Sequence, residues 1–455
     1  MSFPEKQKGK VSFLHAESIL VLGFLALILL GTILLALPAA SRNGQSIGVF
    51  NSLFTSTSAV CVTGLVAVDT GTTFSLFGQA VLLVLIQVGG LGFMVFATMI
   101  MVMLGRKISI KGRMLIRESM NAASLSDLGR LTRLYLLLAF VIEVFGTIVL
   151  SIRLVPMFGW KHGIWMALFH SVSAFCNAGF DLFGQYSSLT AFSGDPLVLL
   201  TVALLIILGG LGFSVILETL RNRDGFRNLS LHTRVVLMTT LVLLLAGTVF
   251  YWLAERVNPE TLAGCPEGEK VMNAFFQSVT MRTAGFNSFD LSRFRDGSKL
   301  FSSLLMMIGA SPASTGGGIK TTTMAALALL MMSVVRGENE VNVSRRRLPD
   351  DIARRALAVA VLFVTTLLAG TLIISLIEDG RFSLEDILFE ASSAMGTVGV
   401  SALGTPNLHP ISRAVLLPMM FLGRVGPLTL AVAVAKRQGR IKSASKYPEE
   451  RIMIG

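Results

Sequence analysis

The sequence predicts an all-α integral membrane protein made of four tandem helix–loop–helix repeats, with eight spanning helices and four shorter re-entrant helices around a pseudo-fourfold axis. Of the 455 residues, 53% are hydrophobic and only 15% are charged, whereas a soluble domain carries about 25% charged residues. The chain also contains a series of long apolar runs. Together these features indicate a protein that crosses a membrane many times.

A short motif recurs four times and divides the chain into repeats. In each copy a phenylalanine is followed by Ser or Thr four residues later, and then by a glycine. The copies are Phe54, Ser58 and Gly64; Phe169, Ser173 and Gly179; Phe276, Thr280 and Gly285; and Phe389, Ser393 and Gly399. Their even spacing predicts repeats over residues 1–112, 113–227, 228–345 and 346–443, followed by a cytoplasmic tail over 444–455.

Each repeat is predicted to contain a spanning helix, a re-entrant helix too short to cross, and a second spanning helix. A crossing needs about 20 apolar residues. The predicted spanning segments are 19–37, 79–104, 134–152, 196–220, 235–253, 299–335, 357–377 and 411–435, and the re-entrant segments are 50–61, 165–176, 271–282 and 384–395. Segment 19–37 is longer than the 7–15-residue core of a signal peptide, so we expect it to remain as the first spanning helix.

Most lysines and arginines fall on one side of this arrangement: before the first helix, between the repeats and in the tail. By the positive-inside rule that side is cytoplasmic, which places both termini in the cytoplasm and lets the re-entrant segments enter from outside. The net charge of +12 is therefore a topology signal in a lipid bilayer, and no nucleic-acid partner is expected.

The tetrapeptides around the four glycines are candidate cation ligands. Non-helical backbone is tolerated in a bilayer only where protein covers it or where it lines water, so four matched loops indicate one wet axis and helix–pore-loop–helix repeats. Backbone carbonyls can replace the hydration shell of a cation, and glycine readily adopts the dihedrals that aim them. The candidate filter residues are Val62, Thr63, Gly64, Leu65, Asn177, Ala178, Gly179, Phe180, Thr283, Ala284, Gly285, Phe286, Thr397, Val398, Gly399 and Val400.

The Ser or Thr of each motif copy, listed above, is expected to hold its loop by bonding to backbone; simple helix packing is the alternative. The fourth tetrapeptide with the serine after it, residues 397–401, resembles the TVGYG signature of potassium channels. With four such loops in phase and the tail over 446–455, the chain resembles the Trk/Ktr/HKT potassium-transporter superfamily, most closely the bacterial KtrB branch.

This resemblance implies potassium uptake across the bacterial inner membrane, with K⁺ bound at the filter only and no cofactor bound by this chain. In sodium-selective plant relatives the first-loop glycine is a serine, so Gly64 implies potassium selectivity. A sodium-permeable pore of the same family is the alternative. The resemblance also implies a homodimer on a separate cytosolic, KtrA-like RCK-type ring, where ATP or ADP switches the gate, and it allows Na⁺ to act as a stimulator.

Segment 299–335 is too long for one crossing, and proline and a triple glycine interrupt it. The resemblance implies an intramembrane gating loop here, with Arg424 as a pore-lining arginine below the filter. The alternatives are a kinked helix without a gating role and an arginine that reaches the cytoplasmic surface. The candidate gate residues are Gly309, Ala310, Ser311, Pro312, Ala313, Ser314, Thr315, Gly316, Gly317, Gly318, Lys320 and Arg424.

The remaining features allow less specific predictions. The pentapeptide Gly-Gly-Leu-Gly-Phe occurs at 89–93 and 209–213, where it indicates close helix packing or, alternatively, a bend. The three cysteines are expected to be free thiols, and the acids near the loops either to attract cations or to be solvated. The cysteines are Cys61, Cys176 and Cys265, and the candidate charges are Asp69, Glu143, Asp181, Glu218, Asp290 and Glu390. The five scattered histidines match no metal spacing and His170 is expected to pack or hydrogen-bond, so an enzyme is not predicted.

Overall fold

The computed structural model describes residues 16–92, 128–222, 225–338, 340–343 and 346–430, and these residues are mainly helical. The main helices are α1 (Ala16–Ala36), α2 (Val49–Val60), α3 (Leu76–Leu91), α4 (Leu128–Phe158), α5 (Trp160–Phe175), α6 (Pro196–Leu211), α7 (Phe213–Arg221), α8 (Leu231–Glu255), α9 (Glu267–Thr280), α10 (Asp296–Met307), α11 (Thr321–Val335), α12 (Asp350–Glu378), α13 (Leu384–Gly396) and α14 (Pro410–Val425). A two-residue antiparallel ladder, Asn342–Val343 with Arg346–Arg347, is the exception to the all-α prediction. The predicted tail lies outside the described residues.

Four helices are long and apolar enough to cross a bilayer, and they open the four predicted repeats. They comprise Ser18–Ala36, Arg130–Phe158, Leu231–Glu255 and Asp351–Glu378. A fifth span is obtained within the described part of the chain only if the bent pair α6 and α7 counts as one. The prediction of eight spanning helices stays a prediction, because parts of segments 79–104 and 411–435 lie outside the described residues.

Glycines with positive φ end three helices, α3, α6 and α14, hereafter the closing helices of the first, second and fourth predicted repeats. The residue after each helix is Gly92, Gly212 or Gly426, with φ values of 89°, 92° and 92°. At Gly212 the chain turns by 97° from α6 into α7, so the segment predicted over 196–220 is bent at the second pentapeptide, as the alternative to close packing proposed. Because side chains rarely tolerate such dihedrals, the last glycine of each pentapeptide is a helix breaker.

The other glycines of the pentapeptides serve close packing, as predicted. A Cβ on Gly90 would lie 2.7 Å from the sulfur of Cys176, and one on Gly209 would lie 2.9 Å from the hydroxyl oxygen of Thr315. Cys176 and Cys61 are buried and free, and Cys265 is free and half-buried, which confirms the thiol prediction. The pentapeptide therefore combines packing and bending.

The short helices α2, α5, α9 and α13 are largely buried. In three of them a serine hydroxyl donates to a carbonyl of the preceding long helix. These bonds join Ser56 to Ile28 at 2.8 Å, Ser171 to Glu143 at 2.7 Å and Ser278 to Leu244 at 2.8 Å. Small residues on the long helices, Gly31, Gly146 and Gly247, allow this approach because a Cβ there would clash with the serine. The bonds attach these three short helices to the long helices that precede them.

Segment 299–335 is interrupted as the sequence predicted. α10 ends at Met307 and α11 begins at Thr321. Residues 308–320 between them form a non-helical connection, hereafter called the intramembrane loop after the location predicted for it from the sequence. Its first residue, Ile308, pairs with Ile319 near its end in an isolated parallel bridge, so the connection closes on itself.

Candidate functional site

The four motif glycines meet where the short helices end. Each leaves no room for a side chain, because a Cβ would strike the backbone of the next segment. The hypothetical Cβ lies 2.6 Å from Ala178 O for Gly64, 2.6 Å from Gly285 Cα for Gly179, 2.7 Å from Val398 O for Gly285 and 2.8 Å from Gly64 Cα for Gly399. These contacts close a cycle in chain order, hereafter the glycine ring.

The backbone around the glycine ring has one repeated conformation. The glycines have φ values of 94°, 68°, 84° and 97°, and the residues two positions earlier, Val62, Asn177, Thr283 and Thr397, have φ values of 56°, 57°, 69° and 53°. The intervening residue has no positive φ in any of the four segments. A backbone of alternating hand brings successive peptide groups to one side, and left-handed non-glycine residues cost of order 1–3 kcal/mol each. Four matched outliers indicate a functional conformation.

The Ser or Thr of each motif holds its segment, which confirms the backbone-bonding prediction. In the first and fourth copies the hydroxyl oxygens of Ser58 and Ser393 accept from the N–H of the motif glycine, both at 3.0 Å. In the second and third copies the hydroxyl donates to the carbonyl that follows the glycine. These bonds join Ser173 to Phe180 at 2.7 Å and Thr280 to Phe286 at 2.6 Å. A hydroxyl at the same motif position therefore binds the N–H of the glycine in two copies and the carbonyl of the residue after the glycine in the other two.

Two buried groups support the residues that follow the ring. Glu390 accepts from the hydroxyls of Ser401 and Thr405, both at 2.6 Å. The Nδ1 of His170 lies 2.7 Å from the carbonyl of Met166, and its Nε2 accepts from the N–H of Leu182 at 3.2 Å. His170 is therefore a neutral hydrogen-bonding residue, as expected.

Replacing Glu390 with Ala is expected to lower the free energy of unfolding by about 1–3 kcal/mol, since two hydroxyls then lose their acceptor in a buried site. Glu390→Gln keeps an acceptor and is expected to cost less. Thermal unfolding of the detergent-solubilised protein measures both, with Glu385→Ala at an exposed position of the same helix as the control. Equal melting temperatures for all three variants would contradict a bracing role.

The other candidate acids act mainly as caps or helix links. Asp69 accepts from the N–H of Tyr186 at 3.0 Å, so it links the chain that follows the first filter candidate segment to the chain that follows the second. Burial raises the pKa of Asp181 to about 7, and nearby Asp69 adds to the rise. Asp290 is exposed and caps a single turn. Glu218 accepts from Ser230 and Thr233, and Glu143 accepts from Gln87 at 2.9 and 3.1 Å.

The intramembrane loop is hydrogen-bonded to the second and fourth closing helices. Its Ser311 and Thr315 N–H groups donate to carbonyls of Gly210 and Gly209 at 3.0 and 3.2 Å. Its Gly318 N–H donates to Gly423 at 3.2 Å. The loop therefore bridges α6 and α14.

The triple glycine of the loop lies directly against the filter candidates. The N–H of Gly317 donates to the hydroxyl of Thr397 at 3.1 Å. A Cβ on Gly316 would clash with the hydroxyl of Thr283, and one on Gly317 with that of Thr397. These glycines let the loop pack under two of the four segments.

Arg424 holds the loop from the end of α14. Its guanidinium donates to the carbonyl of Thr315 in the loop, and to the carbonyls of Gly89 and, at 3.0 Å, Gly90 in α3. The alternative in which Arg424 reaches the surface is therefore wrong. The Nζ of Lys320 donates to Gly316 at 2.7 Å, within the loop itself. The arginine is the clamp between loop and helices.

Sequence reasoning missed two parts of this site. The left-handed dihedrals at Val62 and its equivalents had no sequence signal, because Val and Thr disfavour them. The contact of Arg424 with Gly89 and Gly90 joins residues far apart in sequence. Both glycines belong to the pentapeptide at 89–93, which was interpreted only as a packing or bending motif.

Comparison with known proteins identifies the family. The sequence model of the TrkH family, described as cation transport protein, matches residues 2–444. The chain belongs to the TrkH family of cation transport proteins. It is 40% identical over 437 residues to Ktr system potassium uptake protein B of Bacillus subtilis (strain 168), covering 96% of each chain.

Two further TrkH-family relatives extend the comparison. The chain is 37% identical over 444 residues to potassium/sodium uptake protein NtpJ of Enterococcus hirae, covering 97% of this chain and 98% of that one. Its fold matches the crystal structure of the potassium transporter TrkH from Vibrio parahaemolyticus with a TM-score of 0.71 and 16% identity, covering 93% of this chain and 86% of that chain. The family and its membrane-embedded helical fold are therefore shown.

Proposed function

We propose that this protein takes up potassium across the bacterial inner membrane, through a pore on the axis of the glycine ring. The observation that carries the proposal is the closed ring of four glycines, each reached from a buried short helix with the same backbone conformation. The names of two relatives, which refer to potassium uptake and potassium/sodium uptake, support the choice of ion. The four helix–pore-loop–helix repeats and the filter are parts of this proposal.

The filter chemistry follows from the backbone. Carbonyls of the four segments, from Val62–Leu65 to Thr397–Val400, replace the water shell of K⁺. The short helices α2, α5, α9 and α13 end at these segments, so their negative carboxyl ends favour a cation there. Each segment has one glycine in its tetrapeptide, and the anchoring Ser or Thr keeps the carbonyls in place. No side-chain ligand is required.

The gate in this proposal is the intramembrane loop under the filter. Its hydrogen bonds to α6 and α14 and the clamp by Arg424 close the path, and a positive guanidinium adds an electrostatic barrier to K⁺. Opening requires the loop to leave Arg424 and Thr397. The rest of the loop, including Lys320, moves with it.

The proposal includes a separate regulator. The name "Ktr system" protein B of one relative supports a transport system of more than one component. We assign the other component to a cytosolic, KtrA-like RCK-type ring that binds ATP or ADP, on which a homodimer of this chain sits with both termini in the cytoplasm. Na⁺ is a stimulator in this scheme, since another relative is named for potassium and sodium.

Cation flux into liposomes tests the proposal. The purified chain, alone and with the cytosolic ring plus ATP, is placed in vesicles with potassium, rubidium or sodium gradients. Potassium and rubidium flux well above sodium flux is expected. Empty vesicles and the Gly64→Ser variant are the controls.

A sodium-permeable pore of the same family is the second candidate, and the relative named for potassium/sodium uptake favours it. Equal sodium and potassium flux in the same vesicles would favour the sodium-permeable pore over a potassium-selective one. No flux of either ion, even with the ring and ATP, would remove the pore.

A further inference from the structure

The short helix α7 links the intramembrane loop to the start of α8. It comprises the nine residues Phe213–Arg221 and follows the 97° turn at Gly212. Its first residue bonds to the loop, and its sixth, Glu218, bonds to α8. Sequence analysis treated Glu218 only as one of several candidate charges. Because a helix of this length is about 13 Å long, one short rigid element joins the two contacts.

The loop holds the amino end of α7. The N–H of Phe213 donates to the carbonyl of Ala313 in the loop at 3.2 Å. The first N–H groups of a helix have no partner within the helix, so the loop carbonyl satisfies one of them. The side chain of Phe213 is buried, and its ring stacks on that of Tyr135 in α4 with the centroids 5.1 Å apart. The bond to the loop therefore depends on where α7 begins and how it is oriented.

Glu218 holds the other end of α7 on α8. Its carboxylate accepts from the N–H of Ser230, from the hydroxyl of Ser230 at 2.8 Å and from the hydroxyl of Thr233. Ser230 is the N-cap of α8, where the helix dipole also favours a negative charge. Hydrogen bonds to an ionised acceptor are stronger than bonds between neutral groups. The carboxylate therefore fixes the direction of α7 relative to α8.

We propose that Glu218 is a positioning residue of the gate, which keeps the intramembrane loop closed by fixing α7 on α8. The inference rests on the proposed function, in which the loop is the gate. The N–H groups of a helix point along its axis, so a tilt of α7 about Gly212 misaligns the bond from Phe213 to Ala313, and misaligned hydrogen bonds weaken steeply. The clamp by Arg424 remains, so the effect of losing Glu218 is smaller than that of losing the arginine.

Cation uptake into liposomes without the regulatory ring tests the inference. Glu218→Ala is expected to raise potassium or rubidium flux about threefold or more, as the loss of one hydrogen bond to the loop predicts. Glu218→Gln keeps an oxygen acceptor and is expected to restore part of the closure. Thr219→Ala, the matched control, removes a hydroxyl that bonds to Val215 within α7. A misfolded variant would lose flux, so a gain reports the gate and not general destabilisation.

The outcomes separate this inference from the proposed function. Wild-type protein that conducts potassium with the ring and ATP, together with a Glu218→Ala variant that conducts no more than wild type without the ring, would overturn the role of Glu218 and leave the pore in place. Wild-type protein that conducts nothing, even with the ring, would remove the pore. The contact between α7 and the loop is then tested by hydrogen exchange.

Hydrogen exchange measured by mass spectrometry reports the contact without any ion flux. The N–H groups of Phe213 and Thr315 bond across the contact between the loop and the turn from α6 to α7, and they exchange only when this contact opens. Glu218→Ala is expected to speed exchange in the peptides that carry them, whereas Thr219→Ala is not. Thr233→Val removes one partner of Glu218 from α8 and is expected to reproduce part of the effect. Unchanged exchange in Glu218→Ala and Thr233→Val would contradict the inference.

Discussion

Replacing Arg424 with Ala is expected to raise potassium flux through the unregulated protein by about tenfold or more. The arginine donates to carbonyls of Thr315 in the intramembrane loop and of Gly89 and Gly90 in α3. Hydrogen bonds to charged groups contribute about 1.5–3 kcal/mol each, and about 1.4 kcal/mol is a factor of ten in an equilibrium. If the loop is the gate as proposed, losing the bond shifts it towards open, and losing the charge lowers the barrier to K⁺.

The measurement is rubidium or potassium uptake into liposomes with equal amounts of protein and without the regulatory ring. Arg413→Ala is the matched control, because Arg413 lies near the start of the same helix, over the ring of Phe50 and away from the loop. Arg424→Lys keeps the charge and tests how much of the effect comes from the multiple hydrogen bonds of the guanidinium. Unchanged or lower flux in a normally folded Arg424→Ala variant would contradict the proposal that Arg424 holds the loop closed.

Replacing Gly64 with Ser is expected to abolish potassium selectivity, with the potassium-to-sodium flux ratio falling by about tenfold or more. A Cβ at this position would lie 2.6 Å from the carbonyl oxygen of Ala178 and 3.1 Å from the Cα of Gly179. The φ of 94° also disfavours any side chain. The neighbouring segment must therefore move, and the carbonyl geometry that replaces the water shell of K⁺ is lost.

Gly44→Ser separates this clash from the effect of a positive φ. Gly44 has a φ of 68°, and a Cβ there would meet nothing within 4 Å. Both variants are compared with wild type in paired potassium and sodium uptake assays in liposomes. A potassium-to-sodium ratio that stays at the wild-type value in Gly64→Ser would show that the glycine ring does not select the ion.

Some of the site could be predicted because its signal is local. The even recurrence of Phe, Ser or Thr, and Gly indicated matched short helices and loops, and Gly64, Gly179, Gly285 and Gly399 meet in one ring. Pro312 and the triple glycine excluded a regular helix over 308–320, since these residues act on their own backbone. Arg424 stood out because an arginine within an apolar segment requires a partner.

Other features depended on contacts between distant segments. The pentapeptide at 209–213 left close packing and a bend open, and the sequence did not decide that the run 196–220 turns by 97°, because glycine within a helix is compatible with both a straight and a broken path. At Gly212 a Cβ would lie 2.6 Å from the carbonyl of Pro312, so the intramembrane loop occupies the space of a continued helix. Likewise, the left-handed Val62 is held by its neighbours against its own preference.

The sequence by itself determined the membrane class, the four-part spacing and the residue types at the ring, since composition, periodicity and glycine chemistry are properties of the chain. Tertiary structure decided which carbonyls Arg424 holds and where the closing helices break. The contacts of Arg424 join residues more than a hundred positions apart. Local preference does not encode such contacts, because their free energy exists only once the segments meet.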